Sequence, residues 1–156
     1  MAVFRAFKAL RPAREKAAAV AALPYDVVSR EEAAVIGKEN PDSFLHVDRA
    51  EMDLPADTGL YDPEVYKKAK ENLLQMEEKG ILSQDHKPCY YIYELVRKGK
   101  VQTGIAGCAS IDDYLNNVVK KHELTRSDKE LDRITHVDVC DANTGPIYLA
   151  CRYTDR

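Results

Sequence analysis

Cys89-Tyr90-Tyr91-Ile92-Tyr93-Glu94-Leu95-Val96, the pair Lys98-Gly99 and the return run Val101–Ile111 decide the fold class. Aromatic and β-branched residues suit a pleated, half-buried surface, and five of the first run's eight residues are of those kinds. Lys98-Gly99 supplies a tight turn, and the second run returns as the other arm of a hairpin. The tyrosines read as sheet packing, because no basic stripe accompanies them as base stacking would require.

Upstream of the hairpin the pattern is helical. Asp62-Pro63-Glu64 starts a helix with an Asp cap and a Pro in its first turn. Val65, Ala69, Leu73 and Met76, with Tyr66 and Leu74, trace an apolar face to Lys79, and Gly80 stops it. Ser29-Arg30-Glu31-Glu32 is a capping box, which predicts a helix over 30–37 that Asn40-Pro41 ends. An Ala-rich stretch over 12–20 predicts another, broken at Leu23-Pro24. Ala2–Leu10 reads as an opening strand, Ser43–Val47 as a short strand, and 48–61, acidic with Pro55 and Gly59, as a loop. Downstream, Asp112 or Asp113 caps a short helix carrying Tyr114, Leu115, Val118 and Val119. Thr135–Cys140 and Pro146–Arg152 read as closing strands. The class is α+β, with about five or six strands and three or four helices.

At 156 residues the chain is one domain with room for a core. A net charge of −3 gives no global pull toward nucleic acid or an anionic membrane, so neither is an expected partner. No run approaches the roughly 18 apolar residues of a membrane span. Arg5, Lys8, Arg11, Arg14 and Lys16 interrupt any signal-peptide pattern, so the expected location is cytoplasmic. Cys89, Cys108, Cys140 and Cys151 form no C-x-x-C pair. Reduced, buried thiols and no zinc site are expected.

The densest chemistry lies at 120–133, where five cations and four carboxylates share fourteen positions around one His. The cations suit a small anion, most simply phosphate. The interleaved acids would repel a nucleic-acid backbone. The plain alternative is a solvated helix laced with ion pairs. His136 and Asp138 stand two apart in a predicted strand and would share a face, a weak metal signal.

Five strings carry a resemblance. They are Pro24-Tyr25-Asp26-Val27-Val28-Ser29, Asn40-Pro41-Asp42-Ser43-Phe44-Leu45-His46-Val47, Gly104 through Tyr114, Lys120-Lys121-His122-Glu123-Leu124-Thr125-Arg126, and Thr144-Gly145-Pro146. Together they resemble the N-terminal part of a bacterial and archaeal family of unknown-function proteins often labelled chromosome-partitioning ParB-like. Some of its members are assigned as serine kinases, including a pyrophosphate-dependent type. The resemblance spans nearly the whole chain. It implies a ParB/sulfiredoxin-like mixed sheet with flanking helices, and residues 1–156 as the N-terminal half of a longer protein. That family's later half carries an Asp-Gly-His-His-Arg box. This chain has no such string, so the missing C-terminal half is an expected partner in a composite site.

The resemblance implies phosphorylation of free L-serine to O-phosphoserine. Asp26, in a turn between Pro24-Tyr25 and a β-branched pair, would accept the serine hydroxyl; its match to the acidic residue of ParB-like kinases is by position alone. Asp in a turn also bonds backbone N–H groups. Lys121, His122, Thr125 and Arg126, with Arg133, would hold the phosphate donor, pyrophosphate or a nucleotide. Glu123 would hold magnesium, which such chemistry usually needs. Asn40 and Ser43 would meet the amino-acid portion of the substrate, although turn and cap roles explain both equally well. Two other readings use the same residues: a non-catalytic ParB-like nucleotide- or phosphate-binding module, and a DNA-contacting partitioning-type protein. The acidic chain and the lack of a helix-turn-helix pattern disfavour the last.

Overall fold

The structure, a computed structural model, describes residues 2–121 and 126–151. In chain order it has strands β1 (Phe4–Arg5) and β2 (Leu10–Pro12), helix α1 (Ala17–Val20), a 3-10 turn (Tyr25–Val27), and helices α2 (Arg30–Glu39) and α3 (Leu45–Asp48). A second 3-10 turn (Ala50–Asp53) precedes α4 (Pro63–Glu78) and strands β3 (Leu82–Gln84), β4 (Tyr91–Arg97), β5 (Lys100–Ala106) and β6 (Cys108–Ala109). Helices α5 (Ile111–Leu115) and α6 (Ser127–Cys140) follow. The class is α+β, as the sequence predicts.

Helix α4 is the spine. Pro63 opens it, and Val65, Tyr66, Ala69, Leu73 and Met76 are buried at helical spacing, while Leu74 stays exposed. Val47 and Ala50, Ile81 and Leu82, and Cys140 of α6 pack with it into one core. Gly80 ends the helix at φ +67, a backbone conformation that costs a side chain dearly. Two hydrogen bonds close the terminus, Gly80 N–H to Glu77 O at 2.9 Å and Ile81 N–H to Met76 O at 2.9 Å. They form a Schellman cap, and its apolar pair, Met76 and Ile81, belongs to the core.

The described strands pair antiparallel and two at a time: β1 with β6, β2 with β3, and β4 with β5. Lys98 (φ 49) and Gly99 (φ 75) give β4–β5 a two-residue turn with both central residues left-handed, which matches the twist of the arms. The first dozen residues act as a clasp. β1 holds β6, Phe7 bridges Cys89, β2 holds β3, and Arg11 grips Asp85 through two nitrogens at 2.6 and 2.9 Å.

Three expected strands are not formed among the described residues. Ser43, Leu45 and Val47 are buried at 1%, 1% and 0%, so the alternation is real, but a tight helical turn produces it. Ser43 Oγ accepts the Leu45 N–H at 3.3 Å and starts that turn. Thr135–Cys140 is the last part of α6. Its β-branched residues are overridden because Asp132, His136 and Cys140, four apart, bury one helical stripe. Thr135 returns its hydroxyl to Leu131 O at 2.8 Å. Residues 146–151 hold no strand. The expectation of buried thiols holds for Cys140 alone; Cys89, Cys108 and Cys151 are free and exposed.

The segment read as a loop over 48–61 contains the end of α3 and a 3-10 turn, and Arg30 organises it. Its guanidinium donates to the carbonyls of Glu51, Leu54, Pro55, Ala56 and Thr58 at 2.7–3.2 Å. Buried or half-buried carbonyls need donors, and one side chain here supplies five of them. Among the described residues no helix is long and apolar enough to cross a membrane.

Candidate functional site

A polar cleft opens where the Tyr25–Val27 turn, the end of α3 and the inner face of α6 meet. Pro24, at φ −53, sets the turn. Tyr25 presents its ring to Arg133, whose Cζ lies 4.4 Å from the ring centroid, and its carbonyl to Arg49 Nη1 at 3.4 Å. Asp26, next in the chain, is exposed.

Asp48, Arg49 and Glu51 form the second wall. Arg49 Nε stands 2.8 Å from Glu51 Oε1. The approach is off the line of the N–H bond, so the charges are paired without a directed hydrogen bond. Burial pushes the Asp48 carboxyl above its ordinary range, against the pull of its hydrogen bond to Thr144.

Helix α6 supplies the third wall. Tyr66 of α4 donates to Asp132 Oδ1 at 3.0 Å, and Arg133 bonds Asp132 Oδ2 at 3.0 and 3.2 Å. Burial and the Asp132 carboxylate push the Tyr66 phenol up to about 12. His136 is 3% exposed. Its Nε2 lies 3.1 Å from Val47 O. A carbonyl only accepts, so Nε2 carries the proton in the neutral ring and Nδ1 is left as an acceptor. Nδ1 is buried without a hydrogen-bond partner among the described residues. Space for water-sized molecules in the cleft is ≈ 50 Å³, so it admits only a small group. A shallower, more apolar groove of ≈ 370 Å³ lies alongside and shares Tyr61, Tyr66 and Asp132.

The predicted site residues are spread over several places. Arg133 is brought to the turn that carries Asp26. Lys121 sits instead over the Tyr114 ring, 4.7 Å from its centroid. Arg126 is exposed and pairs with Asp128 at 2.7 Å. His122, Glu123 and Thr125 lie outside the described residues. Asn40 Nδ2 donates to Ala19 O at 2.6 Å, and Ser43 is buried at the start of α3, so both side chains are used inside the fold. Asp138 is exposed while His136 is buried, because residues two apart on a helix face different ways. Among the described residues no three His, Cys, Asp or Glu side chains are grouped to hold a metal ion.

Sequence reasoning missed Asp48, Arg49 and Glu51 because they sat in a segment read as loop. The four-residue spacing of Asp132, His136 and Cys140 was the signal for the third wall.

A protein family described as "Protein of unknown function (DUF1015)" matches residues 4–156. No curated protein and no solved structure matches.

Proposed function

The chain belongs to the DUF1015 family of unknown function, and on that premise we propose that it is the N-terminal domain of a phosphotransferase that converts free L-serine to O-phosphoserine. The observation that carries the reading is Arg133 stacked on Tyr25, which sets a guanidinium at the turn that carries Asp26. Phosphoryl transfer asks for an acceptor to orient the hydroxyl and for cations where charge develops. Asp26 takes the first role. Arg133, with Lys121, His122, Thr125 and Arg126, takes the second.

With pyrophosphate as donor, serine Oγ attacks the terminal phosphorus and a new O–P bond forms. The bridging P–O bond breaks, phosphate leaves, and the hydroxyl proton passes to the Asp26 carboxylate. Glu123 is the proposed ligand of a magnesium ion, which supplies charge neutralisation on the donor when bound. The remaining domain of a longer protein would complete the donor site.

The test is O-phosphoserine formation, read by mass spectrometry, from L-serine, magnesium and, in turn, pyrophosphate, ATP, ADP and CTP. Product with one donor is expected, and Asp26→Asn should lower turnover by about a hundredfold while donor affinity holds. Donor binding without product from any mixture would favour the phosphate-binding module. Unchanged turnover in Asp26→Asn would remove that residue from the mechanism.

A further inference from the structure

The cleft walls carry acid and base in equal number: Arg49, Lys129 and Arg133 against Asp48, Glu51 and Asp132. A phosphate site needs an excess of cations. An even mixture suits a ligand that itself bears both signs.

The unmade hydrogen bonds point the same way. One buried side-chain polar atom of the cleft, His136 Nδ1, lacks a partner among the described residues, whereas Arg49 Nε lies 2.8 Å from Glu51 Oε1 and is charge-paired without a directed hydrogen bond. The two nitrogens are of opposite kind. Arg49 Nε–H is a cationic donor, whereas His136 Nδ1 is an acceptor because Nε2 is committed to Val47 O. Asp48 lines the same cleft as His136 and forms no ion pair among the described residues, its one side-chain hydrogen-bond partner being Thr144. Groups left unmatched away from water carry their full desolvation cost, and a ligand that matches them recovers it.

We propose that this cleft seats a small zwitterion, its ammonium held between the Asp48 carboxylate and His136 Nδ1 and its carboxylate drawn to Arg49. The assignment deepens the kinase reading on which it rests, since it gives that reading's amino-acid substrate a pocket. The ≈ 50 Å³ of free space limits the ligand to a few heavy atoms beyond its two charged ends.

The experiment is calorimetric titration of the whole chain, without phosphate donor, with L-serine, glycine, 3-hydroxypropionate, ethanolamine and inorganic phosphate. L-serine and glycine should saturate, and the two probes that lack one charge should bind about tenfold or more weakly. Asp48→Asn, which keeps size and shape, should weaken L-serine by about tenfold or more and leave the thermal midpoint close to that of the parent. His136 is too buried for truncation to be informative, so its Nδ1 nitrogen resonance is the second readout and should move with L-serine. Serine binding that ignores Asp48→Asn and leaves the His136 resonance in place overturns the assignment, as does a His136 shift produced by inorganic phosphate and not by serine. O-phosphoserine formed by a protein whose serine affinity ignores Asp48→Asn defeats this assignment and leaves the kinase reading intact. Asp48-dependent serine binding with no product from any donor does the reverse.

Discussion

His46 shows how one side chain is tuned by its seat. Its Nδ1 meets Asp53 at 2.8 Å and its Nε2 meets Gly37 O at 3.3 Å, so both nitrogens face acceptors and the charged ring is favoured. Asn72 steadies the pair, donating to His46 O at 2.7 Å and to Asp53 at 2.8 Å. Gly37 makes room, because a Cβ there would stand 3.1 Å from His46 Cε1. The Asp53 bond raises the imidazole above its ordinary value, against burial. Asp53 is itself lowered by His46 and Asn72, with burial opposing. Stability from the raised His is fully present below the ordinary imidazole value and fades as pH climbs through the raised one. That from the lowered Asp is present above the ordinary carboxylate value and fades as pH falls. A proton NMR titration should place the His46 midpoint above the ordinary value of about 6.5, and Asp53→Asn should bring it down; a midpoint at or below that value, unmoved by the variant, contradicts the account. None of this was legible in the sequence, where His46 read as part of a strand. The Asp26 turn was legible because Pro24 marks it, whereas Asp48 and Arg49 carry no local mark and acquire meaning only when α6 arrives opposite them.

Among elements, those set by local chemistry were read most surely. The capping box at Ser29 and Glu32 forms with both of its bonds, 3.2 Å to the Glu32 N–H and 2.8 Å from the Ser29 N–H. The span of α4, its apolar face and its stop at Gly80 were all readable. Nothing lies within 4 Å of a Cβ built on Gly80, so Gly80→Ala tests backbone conformation alone. It should cost about 1–2 kcal/mol, seen as a lower midpoint in urea with an unchanged slope. An unaltered midpoint would mean that the cap contributes nothing. Helix α6 was misread because Thr135, Val137 and Val139 favour strands locally, while burial of the Asp132–His136–Cys140 stripe against α4 and α3 is a tertiary effect that alternation cannot report.

For the whole molecule, order is divided unevenly. The helical core is buried around α4, whereas the β4–β5 hairpin carries exposed side chains on both faces. Ile92, Val96, Val101 and Ile105, paired across it on one face, are each more than half exposed, and Tyr93 on the other is 55% exposed. Backbone hydrogen bonds with little burial behind them open more readily. Hydrogen–deuterium exchange should therefore protect amides of Leu73 and Met76 longer than those of Tyr93 and Gln102, both in hydrogen-bonded pairs of the hairpin; equal protection would show that the hairpin shares the stability of the core. The hairpin was the easiest element to read, yet its surroundings were not readable, because strand propensity says nothing of what a strand packs against.

The clasp formed by the first dozen residues has a consequence for biosynthesis. Arg11 waits for a partner 74 positions later and Val3 for one 110 positions later. Loop closure over such spans is slow relative to helix formation. The segment is thus made before the strands it holds and is among the last to settle, and until then β3 and β6 present bare edges to any neighbouring nascent chain.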